Sequence, residues 1–153
     1  MYKKTLPPLS PEFCSLKEMF MKPQFIIGAA SSGSGKTTFT MGLLRALAHR
    51  GMRVQPYKCG PDYIDTQFHS LASKQVSVNL DTWLASEEHV RSLYHSYGKD
   101  ADVCTVEGVM GLYDGYSGMK GSSAAMAALL DIPVILLMNA RSTAYSVAPL
   151  ISG

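Results

Sequence analysis

The chain has 153 residues, 46% of them hydrophobic and 17% charged, with a net charge of +2. That is room for one domain with a core and too little charge to demand nucleic acid or an anionic membrane as partner. No apolar run nears the ~20 residues that cross a bilayer, residues from Met1 onward show no apolar stretch of the kind a secretory signal needs, and three scattered cysteines, Cys14, Cys59 and Cys104, fit neither a disulfide framework nor a zinc site, so the expectation is a cytoplasmic protein with reduced thiols.

Residues 1–22 carry Pro7, Pro8 and Pro11 and little periodicity. They read as a partly disordered N-terminal extension, with a short helical turn over Pro11–Phe20 behind Ser10. A strand follows at Gln24–Gly28. The next stretch, Gly28-Ala29-Ala30-Ser31-Ser32-Gly33-Ser34-Gly35-Lys36-Thr37-Thr38, leads into a helix over Lys36–Arg50. Strand, glycine-rich loop and helix in that order are what a phosphate-binding loop requires. Glycine lets successive N–H groups curl inward around an anion, and the helix adds its unpaired first-turn donors and positive dipole end. Ser32, Gly33, Ser34, Gly35, Lys36, Thr37 and Thr38 are therefore the expected nucleotide contacts. Lys36 would reach the outer phosphates and the Thr37 hydroxyl would ligate magnesium. Ala30 stands where the usual pattern opens with glycine, which predicts an ordinary extended backbone there.

Phe39, Leu43 and Leu47 give the helix an apolar stripe that Leu44 and Ala46 widen, and Gly51 is a fitting left-handed stop. Arg53–Lys58 reads as a second strand, followed by the turn-rich Cys59-Gly60-Pro61-Asp62-Tyr63-Ile64-Asp65. A short helix over Thr66–Ser73 and an extended piece at Val76–Asn79 come next. Ser86 caps a helix that Glu87 and Glu88 open and Gly98 ends. Asp102–Glu107 is a strand, Ser122–Leu130 a helix of small residues, and Pro133–Met138 an apolar strand. Ser142 is expected to cap a last helix. The chain stops at Pro149–Gly153 with no polar tail, which reads as a piece of a longer protein. Alternating strands and helices, with central strands apolar on both faces, predict an α/β domain over 23–153: a parallel sheet of the phosphate-loop NTPase type in three layers, with helices on both faces. Ligands in such sheets lie at the carboxyl ends of the strands. The loops after Gly28, Lys58 and Glu107 should therefore converge.

The segments Lys58-Cys59-Gly60-Pro61-Asp62-Tyr63-Ile64-Asp65, Phe68-His69, Asn79-Leu80-Asp81 and Glu107-Gly108-Val109-Met110-Gly111-Leu112-Tyr113-Asp114-Gly115 resemble the cobyrinic acid a,c-diamide synthase family, together with its hydrogenobyrinic relative. The resemblance runs from Gln24 to the end. It implies ATP- and magnesium-dependent amidation of corrinoid side chains a and c through an acyl phosphate. It also implies ammonia from a C-terminal glutaminase domain that this chain lacks, with a homodimer left open. Asn139 stands where relatives often carry aspartate, which bears on the nucleotide base. A partition- or metallochaperone-type ATPase is the competing reading, weakened because Ser31 holds the place of its signature lysine. A dethiobiotin-synthetase-like enzyme is the third.

The chemistry assigns roles. Glu107, at a strand end, is the first choice as magnesium carboxylate beside Thr37, with Asp62 and Asp65 next. As plain structural residues, Asp62 would be a turn residue and Asp65 a helix cap. Lys58, by resemblance, would face the reacting carboxylate and the γ-phosphate. Asp114 and Tyr63 are expected at the corrinoid, as is Tyr113. His69 reads as a hydrogen-bonded structural histidine, and Trp83 as packing.

Overall fold

The computed structural model describes residues 22–152; the expected turn at Pro11–Phe20 lies outside them. Five strands, β1 (Gln24–Ala29), β2 (Val54–Cys59), β3 (Val78–Leu80), β4 (Val103–Glu107) and β5 (Val134–Leu137), form one sheet in the order β3-β2-β4-β1-β5, and every pairing is parallel. The helices are α1 (Lys36–His49), α2 (Asp65–Ser73), α3 (Glu87–Gly98), α4 (Ser123–Leu130) and α5 (Ala148–Ser152), the last preceded by a 3₁₀ turn at Tyr145–Val147.

Successive strand residues point to opposite faces, and each face has its own core. On one side Ile26, Tyr57, Cys104 and Val106 pack with Val90 and Tyr94 of α3 and Met126 and Ala127 of α4. On the other, Val54, Val103 and Phe25 meet Leu44 and Leu47 of α1 and Ala72 of α2. This is the expected three-layer arrangement. Tyr57 and Tyr94 stack at 4.8 Å, and the Tyr57 hydroxyl donates to the Tyr94 carbonyl at 2.6 Å.

The local signals that set boundaries are side-chain caps. Ser86 accepts from the His89 N–H at 3.2 Å, and Ser122 accepts from the Ala125 N–H at 3.1 Å. Gly51, at φ +81°, closes α1 as expected. Lys22 closes α3, its ammonium donating to the Gly98 and Lys99 carbonyls at 2.7 and 2.9 Å, where the negative helix end favours a cation.

Two expectations fail. The buried seam of α1 is Lys36, Thr40 and Leu44, while Phe39 is 42% exposed. The helix is rotated from the apolar stripe because its first turn must aim Lys36 at the strand ends. Ser142 does not cap α5. It sits at φ +56°, outside the extended conformation a cap requires, and helical structure begins only at Tyr145. Strand β5 is apolar yet exposed at Val134, Ile135 and Leu136, because it is the sheet edge among the described residues.

Candidate active site

Strands β2, β4 and β1 are neighbours, and their carboxyl ends align. Register pairs Ile27 and Lys58 with Glu107 from either side. The loops that follow these strands close on a cavity of about 400 Å³. Ser32, Gly33, Gly35, Lys36, Thr37 and Thr38 line one wall; Lys58, Asp62, Asp65 and Glu107 line the other. Gly33 and Gly35 hold φ values of +75° and +87°, which a side chain would resist. Ala30 has no positive φ, as expected. Ser34 does not line the cavity; its hydroxyl donates to the Ser31 carbonyl at 2.8 Å and pins the loop instead.

Glu107 is the hub. Its side chain is fully buried, yet both oxygens are occupied. Oε1 accepts from the Thr37 hydroxyl and from the Lys58 ammonium, each at 2.8 Å, while Oε2 lies 2.7 Å from His69 Nε2. Asp65 joins the cluster, 2.7 Å from Lys58 Nζ and 3.2 Å from the Thr37 hydroxyl. Burial alone would raise the Glu107 carboxyl. The His69 hydrogen bond and the Lys58 charge outweigh it and hold the group well below the usual carboxylate range. Burial would likewise lower Lys58, but Glu107 and Asp65 reverse the sign and raise it. Lys58 is thus no solvated strand-end lysine. Lys36 is lowered, by burial first and then by the nearby Lys58.

The predicted carboxylates divide. Asp65 lies beside Glu107 and Thr37. Asp62 sits at the rim: its Oδ1 accepts from the Ile64 and Asp65 N–H groups at 2.9 and 2.8 Å, and its Oδ2 is 3.9 Å from Lys58. Asp62 thus closes a turn ahead of α2, and Asp65 is not the cap, since that place falls to Ile64, which makes no side-chain cap bond. Asp114 accepts from the Gly111 N–H at 3.1 Å and shapes its own loop. Tyr63 and Tyr113 are 80% and 62% exposed and cover no core. Trp83, expected as packing, is 70% exposed and belongs to neither core. Sequence reasoning missed Met110, whose carbonyl accepts from Lys36 Nζ at 2.5 Å; a backbone acceptor leaves no mark on residue type.

The cluster offers hard oxygen donors, a hydroxyl with carboxylates, and leaves room for phosphate oxygens and water. That composition suits magnesium. Among the described residues no group of three His, Cys, Asp or Glu forms a metal site by itself.

A curled loop over a helix N-terminus, facing lysines and acids from neighbouring strand ends, defines a nucleotide-binding domain. The chain belongs to the family described as CobQ/CobB/MinD/ParA nucleotide binding domain (CbiA), which matches residues 25–145. It is 49% identical over 133 residues to a cobyrinate a,c-diamide synthase of Dehalococcoides mccartyi, covering 86% of this chain and 29% of that protein. It is 50% identical over 135 residues to that of Streptococcus sanguinis, covering 85% and 29%. It is 48% identical over 133 residues to a hydrogenobyrinate a,c-diamide synthase of Streptomyces coelicolor, covering 86% and 27%. The chain thus spans under a third of the length of these relatives. Among its described residues, no helix is long and apolar enough to cross a membrane.

Proposed function

We propose that residues 23–153 form the ATP-dependent synthetase part of a corrinoid a,c-diamide synthase. The observation that carries the reading is the convergence of Thr37 and Lys58 on the two carboxylates Glu107 and Asp65 at the mouth of the phosphate loop. A carboxylate does not condense with ammonia at neutral pH, because its oxygen is a poor leaving group. Phosphorylation corrects this. The substrate carboxylate oxygen attacks the γ-phosphorus of ATP and the bond to the bridging oxygen breaks, releasing ADP. Ammonia then adds to the acyl carbon, loses a proton and expels inorganic phosphate, leaving the amide.

The protein's part is alignment and charge neutralisation. Loop N–H groups and Lys36 hold the phosphates. Lys58, already within reach of the cavity, neutralises charge between the incoming carboxylate and the γ-phosphate. Thr37, Asp65 and Glu107 would hold magnesium, with Asp62 at the rim as the further carboxylate. Bound there, magnesium would neutralise phosphate charge and fix the phosphate conformation. Ammonia arrives free or from glutamine hydrolysed by a glutaminase domain, which the longer relatives have room to carry. Tyr63 and Asp114, both exposed beside the cavity loops, are assigned to the corrinoid.

The test is amidation of cobyrinate by this chain with ATP, magnesium and ammonia, followed by mass of the diamide. The expected result is product in the wild type, with loss of at least about 100-fold in Glu107→Gln. Wild-type turnover in that variant would overturn the assignment of Glu107.

A further inference from the structure

A second concavity, of about 350 Å³, opens beside the phosphate cavity and shares Val109 and Met110 with it. Pro61, Trp83 and Tyr116 supply its apolar walls. Trp83 is the one tryptophan in the sequence. Its ring meets Tyr116 edge-on, with centroids 4.9 Å apart and planes at 71°.

This pair is held in place. The Trp83 N–H donates to Asp81 Oδ1 at 2.8 Å, and the Ala85 N–H closes the same turn on the Asp81 carbonyl at 3.1 Å. On the other side, Gly121 lies against the Tyr116 ring where a Cβ would collide with it. The turn that carries Trp83 and the backbone against the Tyr116 ring are therefore set, while the two residues stay 70% and 48% exposed. An indole held at the surface gains nothing from either core. Rings presented in this way mark a binding surface.

We infer that this cavity seats the acceptor, a flat conjugated macrocycle bearing carboxylate side chains. The inference rests on the corrinoid reading above. Trp83 and Tyr116 pack against the ring edge, and the reacting carboxylate crosses Met110 to reach Lys58. The cavity is too small for a whole macrocycle, so it takes the edge from which the reacting side chains project. The cations stand around this cavity rather than in it, where Asp81 is the charged lining residue and is engaged by the Trp83 N–H. Lys120 lies beside Tyr116 in the adjoining hollow, and Lys36 and Lys58 wait across Met110. The other apolar groove, where Met41, Phe68 and Leu71 lie between α1 and α2, shares only Thr38 with the phosphate cavity and does not approach Lys58.

The experiment is equilibrium dialysis of cobyrinic acid against this chain with a non-hydrolysable ATP analogue present. The variants are Trp83→Ala, Trp83→Phe, Tyr116→Ala and, in the other groove, Leu71→Ala. Trp83→Ala and Tyr116→Ala should each weaken corrinoid binding about tenfold, the loss of one aromatic contact. Trp83→Phe should fall between these and wild type, and Leu71→Ala should match wild type. Nucleotide affinity should be unchanged in all four, and quenching of Trp83 emission by the corrinoid should saturate with binding. Undiminished corrinoid affinity in Trp83→Ala and Tyr116→Ala would overturn the seat and leave the corrinoid reading intact. A wild type that binds the analogue but takes up no cobyrinic acid would overturn both.

Discussion

His69 Nε2 lies 2.7 Å from Glu107 Oε2, and neither side chain has any exposure. The ionised Glu107 carboxylate can only accept, so the ring donates through its Nε2 N–H. By occupying Oε2, His69 leaves Oε1 as the oxygen that faces Thr37 and Lys58. His69→Ala strands a buried carboxylate oxygen and should cost about 2–3 kcal/mol. His69→Gln, whose amide can donate, should recover part of that. Urea unfolding of both variants checks the order.

Acid should weaken the domain through the same group. Glu107 is held below its ordinary value of 4.5 by His69 and Lys58, against the opposing effect of burial. A depressed carboxyl contributes fully above the unfolded value and loses that contribution as pH falls toward the folded one. Unfolding free energy should therefore drop as pH is lowered from about 5 to about 2, the span between the ordinary value and the folded one. Glu107→Gln should start lower at neutral pH and lose less on acidification. Urea titrations along that range supply the two slopes.

Gly108 packs where no side chain fits. A Cβ there would collide with the Ser123 hydroxyl and lie 2.9 Å from the Ile27 carbonyl. Ser123 cannot simply turn away, because its hydroxyl accepts from the Val109 N–H at 2.9 Å and donates to the Val109 carbonyl at 3.0 Å. Gly108→Ala should destabilise by about 1–3 kcal/mol. It should also weaken nucleotide binding, since the displaced residue adjoins Glu107. Thermal unfolding with and without nucleotide separates the two effects.

The described thiols should be inert in the native state. Burial pushes Cys59 up to about 12 and raises Cys104 as well, and both are 1% exposed or less. In a Cys14→Ser background, alkylation by iodoacetamide at about pH 8 should run on the order of 100-fold slower than in denaturant. Rapid native labelling at Cys59 would contradict its placement in the core at the end of β2.

Much of this architecture could be read from residue order. Gly33, Gly35 and Lys36 between an apolar strand and a helix announce the loop, because few other backbones need that punctuation. Glu107 and Lys58 were legible as strand ends facing one site. Their direct contact was not, since it depends on β2 lying beside β4 rather than β1, and strand order leaves no local trace. The division between Asp62 and Asp65 was hidden for a related reason. Three residues apart, Asp62 fits a turn, Asp65 fits a cap and both fit a ligand, and only the α2 axis decides between them. Trp83 misled because a large apolar side chain defaults to a core. What puts it at the surface is the turn that Asp81 makes around it.

Met110 belongs to both hollows at once: its carbonyl accepts the Lys36 ammonium while the residue lines the wall below Trp83. It also stands at φ +45°, a conformation non-glycine residues adopt at a cost. A triphosphate that recruits the Lys36 ammonium strips the charge-assisted bond from that carbonyl and leaves the peptide free to relax. Occupancy at one hollow is then felt at the other, and linkage makes the influence mutual. One factor relates the two affinities whichever guest arrives first, and a single peptide unit would carry it.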